Sequence, residues 1–232
     1  MKYPVYERFV SFQGEGVHLG RKAFFIRLYG CPIKCPWCDS AGTWHPEWSP
    51  DNVDRIDDDQ LVREVSESRA SMVVITGGEP TIFDLFPLTE KLKLRLPHVS
   101  IHLETSGAFP IRGKVDWITL SPKKWKMPLS QNVAQADEYK IIVEDVGDVG
   151  FYCHYLLTHG YVQNPKSPWI WIHPEWGKRE DKQLLDSIVS LVTSVGDPFR
   201  CGWQVHKIYA ADAKDKRSRP LVPLGGDPAR GY

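Results

Sequence analysis

Residues 30–40 read GCPIKCPWCDS and place Cys31, Cys35 and Cys38 in a C-x3-C-x2-C spacing. Three thiolates at this spacing can hold three irons of a four-iron cluster, and the string offers no fourth cysteine. A bacterial ferredoxin run supplies four thiolates and saturates its clusters for electron transfer. Leaving one iron unligated opens a coordination position for a substrate, which chemistry at a metal needs. The alternative is a zinc site with His45 as fourth ligand. Structural zinc more often uses two separate C-x2-C pairs, and the chain has no second pair. Cys153 and Cys201 stand alone in apolar surroundings and read as buried free thiols. An odd count of five cysteines argues for metal or redox chemistry rather than a disulfide framework.

Other strings carry chemistry of their own. VVITGGEP (73–80) runs from an apolar stretch into Gly77-Gly78, where backbone can approach a ligand closely with exposed N–H and C=O groups. LETSG (103–107) and LSPK (120–123) also follow apolar runs. Gln13-Gly14-Glu15-Gly16 is a glycine-flanked polar turn, equally readable as a plain hairpin turn. Arg27 sits inside the apolar run FFIRL, where an unpaired guanidinium would be costly to bury. Either it points to solvent or it grips an anion, for which a carboxylate is the natural bidentate partner.

Short apolar, β-branched runs must position these residues. They are AFFIRL (23–28), MVVI (72–75), VSIHL (99–103), WITL (117–120), YKIIV (139–143), WIWI (169–172) and WQVHKI (203–208). Several are continuous rather than alternating, as in strands buried on both faces of a parallel sheet. Helical periodicity appears over 58–70 behind Asp57 or Asp58, over 83–96, over 148–159 ending at Gly160, and over 180–195 ending at Gly196. Alternating strands and helices indicate an α/β fold. The segments 104–116 and 121–138 carry Gly107, Pro110, Gly113, Pro122 and Pro128 and do not look helical, so loops replace some crossovers and a barrel built this way is incomplete. In such sheets the active site lies at the carboxyl ends of the strands, which is where the GGEP, ETSG and SPK strings fall.

The 232 residues carry 29 Lys plus Arg and 29 Asp plus Glu. A neutral chain has no general electrostatic footprint for nucleic acid or an anionic membrane surface, so direct tRNA or DNA binding is not expected. No apolar stretch reaches the length of a membrane span, and MKYPVYERFV lacks a signal-peptide core; a cytoplasmic location is expected. One domain is expected over 1–210, followed by a polar, Pro/Gly-rich, mobile tail over 211–232.

With Trp37 before its last cysteine, the cysteine string resembles that of the radical S-adenosylmethionine (SAM) superfamily. The ordered set QGEG, Arg27, GCPIKCPWCDS, ITGGEP, ETSG, SPK, EYK and QVHK, spanning roughly residues 3–208, resembles the 7-carboxy-7-deazaguanine synthase family of queuosine and deazapurine biosynthesis. The resemblance implies an incomplete radical-SAM barrel of about six parallel strands. It implies a [4Fe-4S] cluster on Cys31, Cys35 and Cys38, SAM, and Mg²⁺ on the Ser40 hydroxyl. It places the SAM contacts at Trp37, Cys38, Asp39, Gly78, Ser121, Pro122 and Lys123. The substrate contacts fall at Phe12, Gln13, Gly14, Arg27 and Thr76, with Arg27 suited to a carboxylate. The implied reaction converts 6-carboxy-5,6,7,8-tetrahydropterin to 7-carboxy-7-deazaguanine with loss of ammonia. Implied partners are an electron donor such as flavodoxin or ferredoxin and a second copy of the chain in a homodimer. Ser40 stands where Thr is commoner, His173-Pro174 where Gln-Pro is expected, and the tail exceeds the usual ending. Two other readings stay open: an activase that makes a glycyl radical on a partner protein, which need not share QGEG or Arg27, and a zinc-stabilised binding module.

Overall fold

The computed structural model describes residues 1–166 and 168–219. Its spine is a nine-stranded sheet in the order β3-β1-β2-β4-β5-β6-β7-β8-β9. β1 (Lys2–Phe12) runs antiparallel to both β2 (Lys22–Leu28) and β3 (Asp54–Asp57). From β2 onward every neighbour is parallel: β4 (Met72–Gly77), β5 (Ser100–Thr105), β6 (Trp117–Leu120), β7 (Glu138–Val143), β8 (Trp169–Pro174) and β9 (Phe199–Cys201). β3 and β9 form its two edges, so the sheet is open, an incomplete α/β barrel.

The helices follow the strands: α1 (Asp58–Ser68), α2 (Phe86–Arg95), the single turn α3 (Ser130–Val133), α4 (Val146–Thr158), α5 (Lys182–Val195) and α6 (Val205–Tyr209). Local signals set their ends. The Asp57 side chain accepts from Gln60 N at 2.8 Å to cap α1, and Asp145 and Asp181 cap α4 and α5 in the same way. As expected, no helix bridges β5 to β6, and the β6–β7 connection contains only α3.

Strand alternation divides the molecule into two kinds of surface. Phe24, Ile26 and Leu28 of β2, Val73 and Ile75 of β4, and Ile101 and Leu103 of β5 turn toward α1 and α2, with Leu61, Val65, Leu88 and Leu92 packed on them. Ile118, Tyr139, Ile141, Ile170 and Ile172 make the matching layer with α4 and α5. Each such Leu or Ile contributes about 1.5–3 kcal/mol on burial. The opposite face is apolar only toward the start of the strands, where Phe9, Ala23, Phe25, Met72 and Val74 cluster. Farther along it becomes polar, through Arg27, Thr76, Glu104, Thr119 and Glu138, which lie in register across β2 and β4–β7. Continuous apolar runs thus give way to alternation at the strand ends that face the site.

The expected strand over 203–208 is corrected. Phe199–Cys201 pairs with β8 instead, and 205–209 form α6. Gln204 reaches Asp39 and Val205 N donates to Gly14 O at 3.1 Å, so these residues follow contacts with the β1–β2 turn and the cysteine loop rather than their β-branched composition. Three strands, β1, β3 and β9, complete the sheet outside the apolar runs of the sequence. Of the expected tail, residues 211–219 lie within the described chain. There Asp215 accepts from Val10 N at 2.9 Å, and Glu7 from Arg219 N at 2.6 Å. Residues 220–232 fall outside the described residues.

Leu61 is fully buried between α1 and the sheet. Leu61→Ala should lower the unfolding free energy of the apoprotein by about 2–5 kcal/mol in a urea titration; a loss below about 1 kcal/mol would mean this layer is not tightly packed.

Candidate active site

The cysteine loop leaves the C-terminal end of β2. Gly30, at φ +109°, and Lys34, at φ 56°, both in the left-handed region, curl it back over the sheet. Cys35 is buried, Cys31 and Cys38 are half-buried, and all are free; the other two free thiols are not buried as expected, Cys153 being half-buried and Cys201, on the edge strand β9, exposed. Ile33, Trp37, Ala108 and Phe109 pack around them. The Trp125 indole N–H donates to Ile33 O at 2.8 Å and clamps the loop from outside. Burial pushes the Cys31 thiol up to about 11, Cys35 to about 12, and Cys38 upward as well. Such thiols are inert until a metal displaces their protons.

The donor set fits a cluster better than a single ion. The three thiols are not gathered within 4.8 Å of one another, whereas zinc at about 2.3 Å per Zn–S bond would draw its ligands closer than that. His45, the fourth ligand the zinc reading needs, instead accepts from Glu47 N at 3.3 Å and packs edge-on against Trp44.

The GGEP loop is built against the cysteine loop. A Cβ on Gly78 would lie 2.3 Å from Gly30 O and 2.8 Å from the Cys31 Cβ, and one on Gly77 would meet Leu28 O at 2.3 Å. Gly78 N donates to Leu28 O at 3.0 Å and Glu79 N to Gly30 O at 2.9 Å. The glycines are therefore needed for backbone-on-backbone contact, in addition to any approach by a ligand. The buried Glu79 carboxylate accepts from Thr81 N and Oγ1 (3.1 and 2.7 Å), Thr105 Oγ1, and Ser106 N (2.9 Å) and Oγ. It thereby ties the GGEP loop to the ETSG loop.

One pocket at the strand ends is lined by every site residue expected from the sequence except Pro122, which is buried outside its wall. Arg27 lies opposite Glu7 on β1, its Nε donating to Glu7 Oε1 at 2.7 Å. Thr76 Oγ1 donates to Glu104 Oε2 at 3.1 Å, and Gln13 Nε2 to Glu104 Oε1 at 2.9 Å. Ser40 Oγ lies 3.5 Å from Gly77 O and 3.6 Å from Cys38 Sγ. Lys123 Nζ donates to Ser121 O and Oγ, both at 2.7 Å, and stands 5.4 Å from the Trp37 ring centre.

Glu15, Lys140, His206 and Lys207, from the QGEG, EYK and QVHK strings, also line the pocket and had no role expected from sequence. Glu15 and Lys140 form a buried ion pair. Burial pushes the Glu15 carboxyl up, but Lys140, with His173 and His206 nearby, outweighs it and holds the group at about 2. Asp39 accepts from Gln204 Nε2 at 3.3 Å and pairs with Lys207 at 3.2 Å. Burial raises this carboxyl too, and Lys207 with Arg27 more than reverses it, leaving Asp39 well below its ordinary range. A Cβ on Gly14 would come within 2.2 Å of His206 Nδ1, so that glycine admits His206 to the wall. His173, by contrast, does not line the pocket. It is buried behind Gly202, with neither ring nitrogen hydrogen-bonded among the described residues.

Three unsaturating thiols on the first parallel strand's loop, locked to a glycine-rich loop on the next, define a radical SAM enzyme, and residues 25–165 match the family model described as the radical SAM superfamily. The chain is 46% identical over 207 residues to the 7-carboxy-7-deazaguanine synthase of Synechocystis, covering 89% of this chain and 92% of that one. It is 34% identical over 204 residues to the enzyme of the same name from Flavobacterium psychrophilum, covering 88% and 90%. The crystal structure of QueE from Escherichia coli matches with a TM-score of 0.72 at 32% identity, over 89% of this chain and 95% of that one. The chain belongs to the 7-carboxy-7-deazaguanine synthase family and is a radical SAM lyase. Membership carries with it a [4Fe-4S] cluster and SAM, and the donor set described above suits the cluster.

Two measurements follow from this geometry. Cys35→Ala should abolish iron retention after anaerobic reconstitution while His45→Ala keeps it; loss of metal in His45→Ala would restore the zinc reading. Burial also pushes His173 down to about 4 and His102 to about 3, below the value near 6.5 of an unfolded histidine. The unfolded chain then binds protons first, so stability is full above about pH 6.5 and falls as the pH drops toward 4. The melting temperature of the apoprotein should fall between about pH 7 and 5, less steeply in His173→Gln; an unchanged slope in that variant would show that His173 is solvated.

Proposed function

We propose that this enzyme converts 6-carboxy-5,6,7,8-tetrahydropterin to 7-carboxy-7-deazaguanine with loss of ammonia. The observation that carries the reading is Arg27, which lines the same pocket as the three cysteines. A guanidinium there suits a substrate carboxylate through charge-assisted hydrogen bonds. Phe12, Gln13, Gly14 and Thr76 border the same space, and the Gln13 amide and Glu104 carboxylate offer the donors and acceptors that a pterin edge presents.

Trp37, Cys38, Asp39, Gly78, Ser121 and Lys123 would hold SAM, with Pro122 shaping the Ser121–Lys123 turn. Bound there, SAM and the cluster would supply the hydrogen-abstracting radical chemistry that the pterin C6 calls for, with SAM regenerated at the end of the cycle. The Ser40 hydroxyl and the Gly77 carbonyl beside it are hard oxygen donors suited to Mg²⁺. Lys123, buried and held by Ser121, stands beside the thiols, and the Asp39–Lys207 pair fixes the last wall of the pocket. Reduction calls for a one-electron donor of the flavodoxin or ferredoxin kind, and we place the enzyme in the cytoplasm as a homodimer. The charge pairing inside the pocket recognises a small anionic molecule, with no surface assigned to nucleic acid.

The test is an anaerobic assay of the reconstituted enzyme with SAM, Mg²⁺, a reductant and 6-carboxytetrahydropterin, read by mass spectrometry. 7-Carboxy-7-deazaguanine should form, and Arg27→Ala should raise KM by the equivalent of about 2–3 kcal/mol while cluster content and SAM binding hold. Release of 5′-deoxyadenosine without deazaguanine product would discard the pterin, and collapse of the cluster in Arg27→Ala would make Arg27 structural.

A further inference from the structure

The pairing of β1 with β2 is irregular at one point. Val5 lies opposite Leu28, yet Glu7 lies opposite Arg27, so Tyr6 is an extra residue in the strand. Such a bulge changes which face the following side chains take. Tyr3 and Val5 pack with Leu28 in the layer covered by helices. In unbroken alternation Glu7 would follow them there; the bulge turns it to the pocket face, alongside Phe9 and its stacked neighbour Phe25.

Glu7 is 7% exposed, and its two oxygens are shared between different parts of the chain. Oε1 accepts from Arg27 Nε at 2.7 Å. Oε2 accepts from Arg219 N at 2.6 Å and from Ser218 Oγ at 3.3 Å. With Oε2 shared by the two donors of the C-terminal segment, the carboxylate holds the guanidinium by its Nε edge through Oε1.

The donors to Oε2 belong to a strap, residues 215–219, with its own anchors. β3 pairs with β1 only over Lys2–Val5. Past the bulge, Asp215 Oδ2 accepts from Val10 N at 2.9 Å, and Arg217 braces Asp215 through Nη2 at 2.8 Å and Nε at 3.1 Å. The Arg219 guanidinium lies 4.9 Å from the ring centre of Tyr6, the bulge residue itself.

We propose that Glu7 is a positioning residue for Arg27, and that the 215–219 strap, by fixing Glu7, sets the enzyme's affinity for a carboxylate on its substrate. The inference rests on the reading of Arg27 given under Proposed function. The strap works at a distance: Asp215 touches β1 and Arg217, and does not line the pocket.

The test uses full-length, cluster-loaded enzyme with SAM and follows equilibrium binding of two fluorescent probes, pterin-6-carboxylate and 6-hydroxymethylpterin. Asp215→Ala and Glu7→Gln should each weaken the carboxylated probe by about three- to tenfold and leave the hydroxymethyl probe unchanged. In turnover, Asp215→Ala should raise KM with kcat unchanged, and iron content should match the parent. Adding Asp215→Ala to Arg27→Ala should cost nothing further, as expected for two changes acting through one group. If Arg27→Ala loses the carboxylated probe selectively while Asp215→Ala and Glu7→Gln bind as the parent does, the strap has no such role and the reading of Arg27 stands. Equal weakening of both probes in the strap variants would also overturn the inference, showing only a general loosening of β1. If Arg27→Ala itself fails to discriminate the probes, the carboxylate reading falls, and the inference with it.

Discussion

The Glu79 carboxylate is the fastening on which the site depends. It is buried at the end of β4, and donors from Thr81, Thr105 and Ser106 converge on it. An ionised carboxylate taken out of water is costly unless such donors replace its hydration. Here Thr81 comes from its own loop and Thr105 and Ser106 from the end of β5, so satisfying one carboxylate joins the two strand ends. The same segment, through Gly78 and Glu79 N, lies against Gly30 and Cys31. The positions of the thiols are therefore inherited from the sheet through a short chain of backbone contacts and one side chain.

Around this fastening the inner face is a set of opposite charges held close: Glu7 with Arg27, Glu15 with Lys140, Asp39 with Lys207. Buried or half-buried pairs like these seldom add much stability over apolar packing, because desolvation offsets their attraction. The apolar layers beneath α1, α2, α4 and α5 supply the stability instead. This division lets one sheet be firm on its helical face and chemically demanding on the other. A chain that is neutral overall thus carries a strongly charged interior.

Much of this was legible in the sequence, and the exceptions have a common cause. The cysteine string, the strand runs from 23 to 172 and the helix caps are local patterns, and the structure keeps them at the expected positions. The residues expected around SAM and substrate, Pro122 apart, fall in one pocket because parallel strands bring their carboxyl ends to one edge. What local pattern could not show is pairing over long separations. Glu79 meets residues 26 and 27 positions away, and Glu7 meets Arg219 across 212. Residues 203–208 have the composition of a strand, and their helix reflects contacts with Gly14 and Asp39 that no window of sequence contains. The bulge at Tyr6 likewise leaves no mark in the alternation of β1, whose neighbours Val5, Tyr6 and Glu7 are all buried.

The placement of α6 has a consequence for how the enzyme is made. Asp39, next to the last cysteine, meets Gln204 across 165 residues. Ribosomes add about 5–20 residues per second, so roughly ten to thirty seconds separate the emergence of the thiols from that of the wall that closes over them. During synthesis the cysteine loop and its first neighbours precede their cover, leaving an interval in which an assembly factor can reach the thiols without prying open a finished protein. Once Gln204 and Lys207 dock on Asp39, that route narrows to the pocket mouth, and the C-terminal end of the chain decides when.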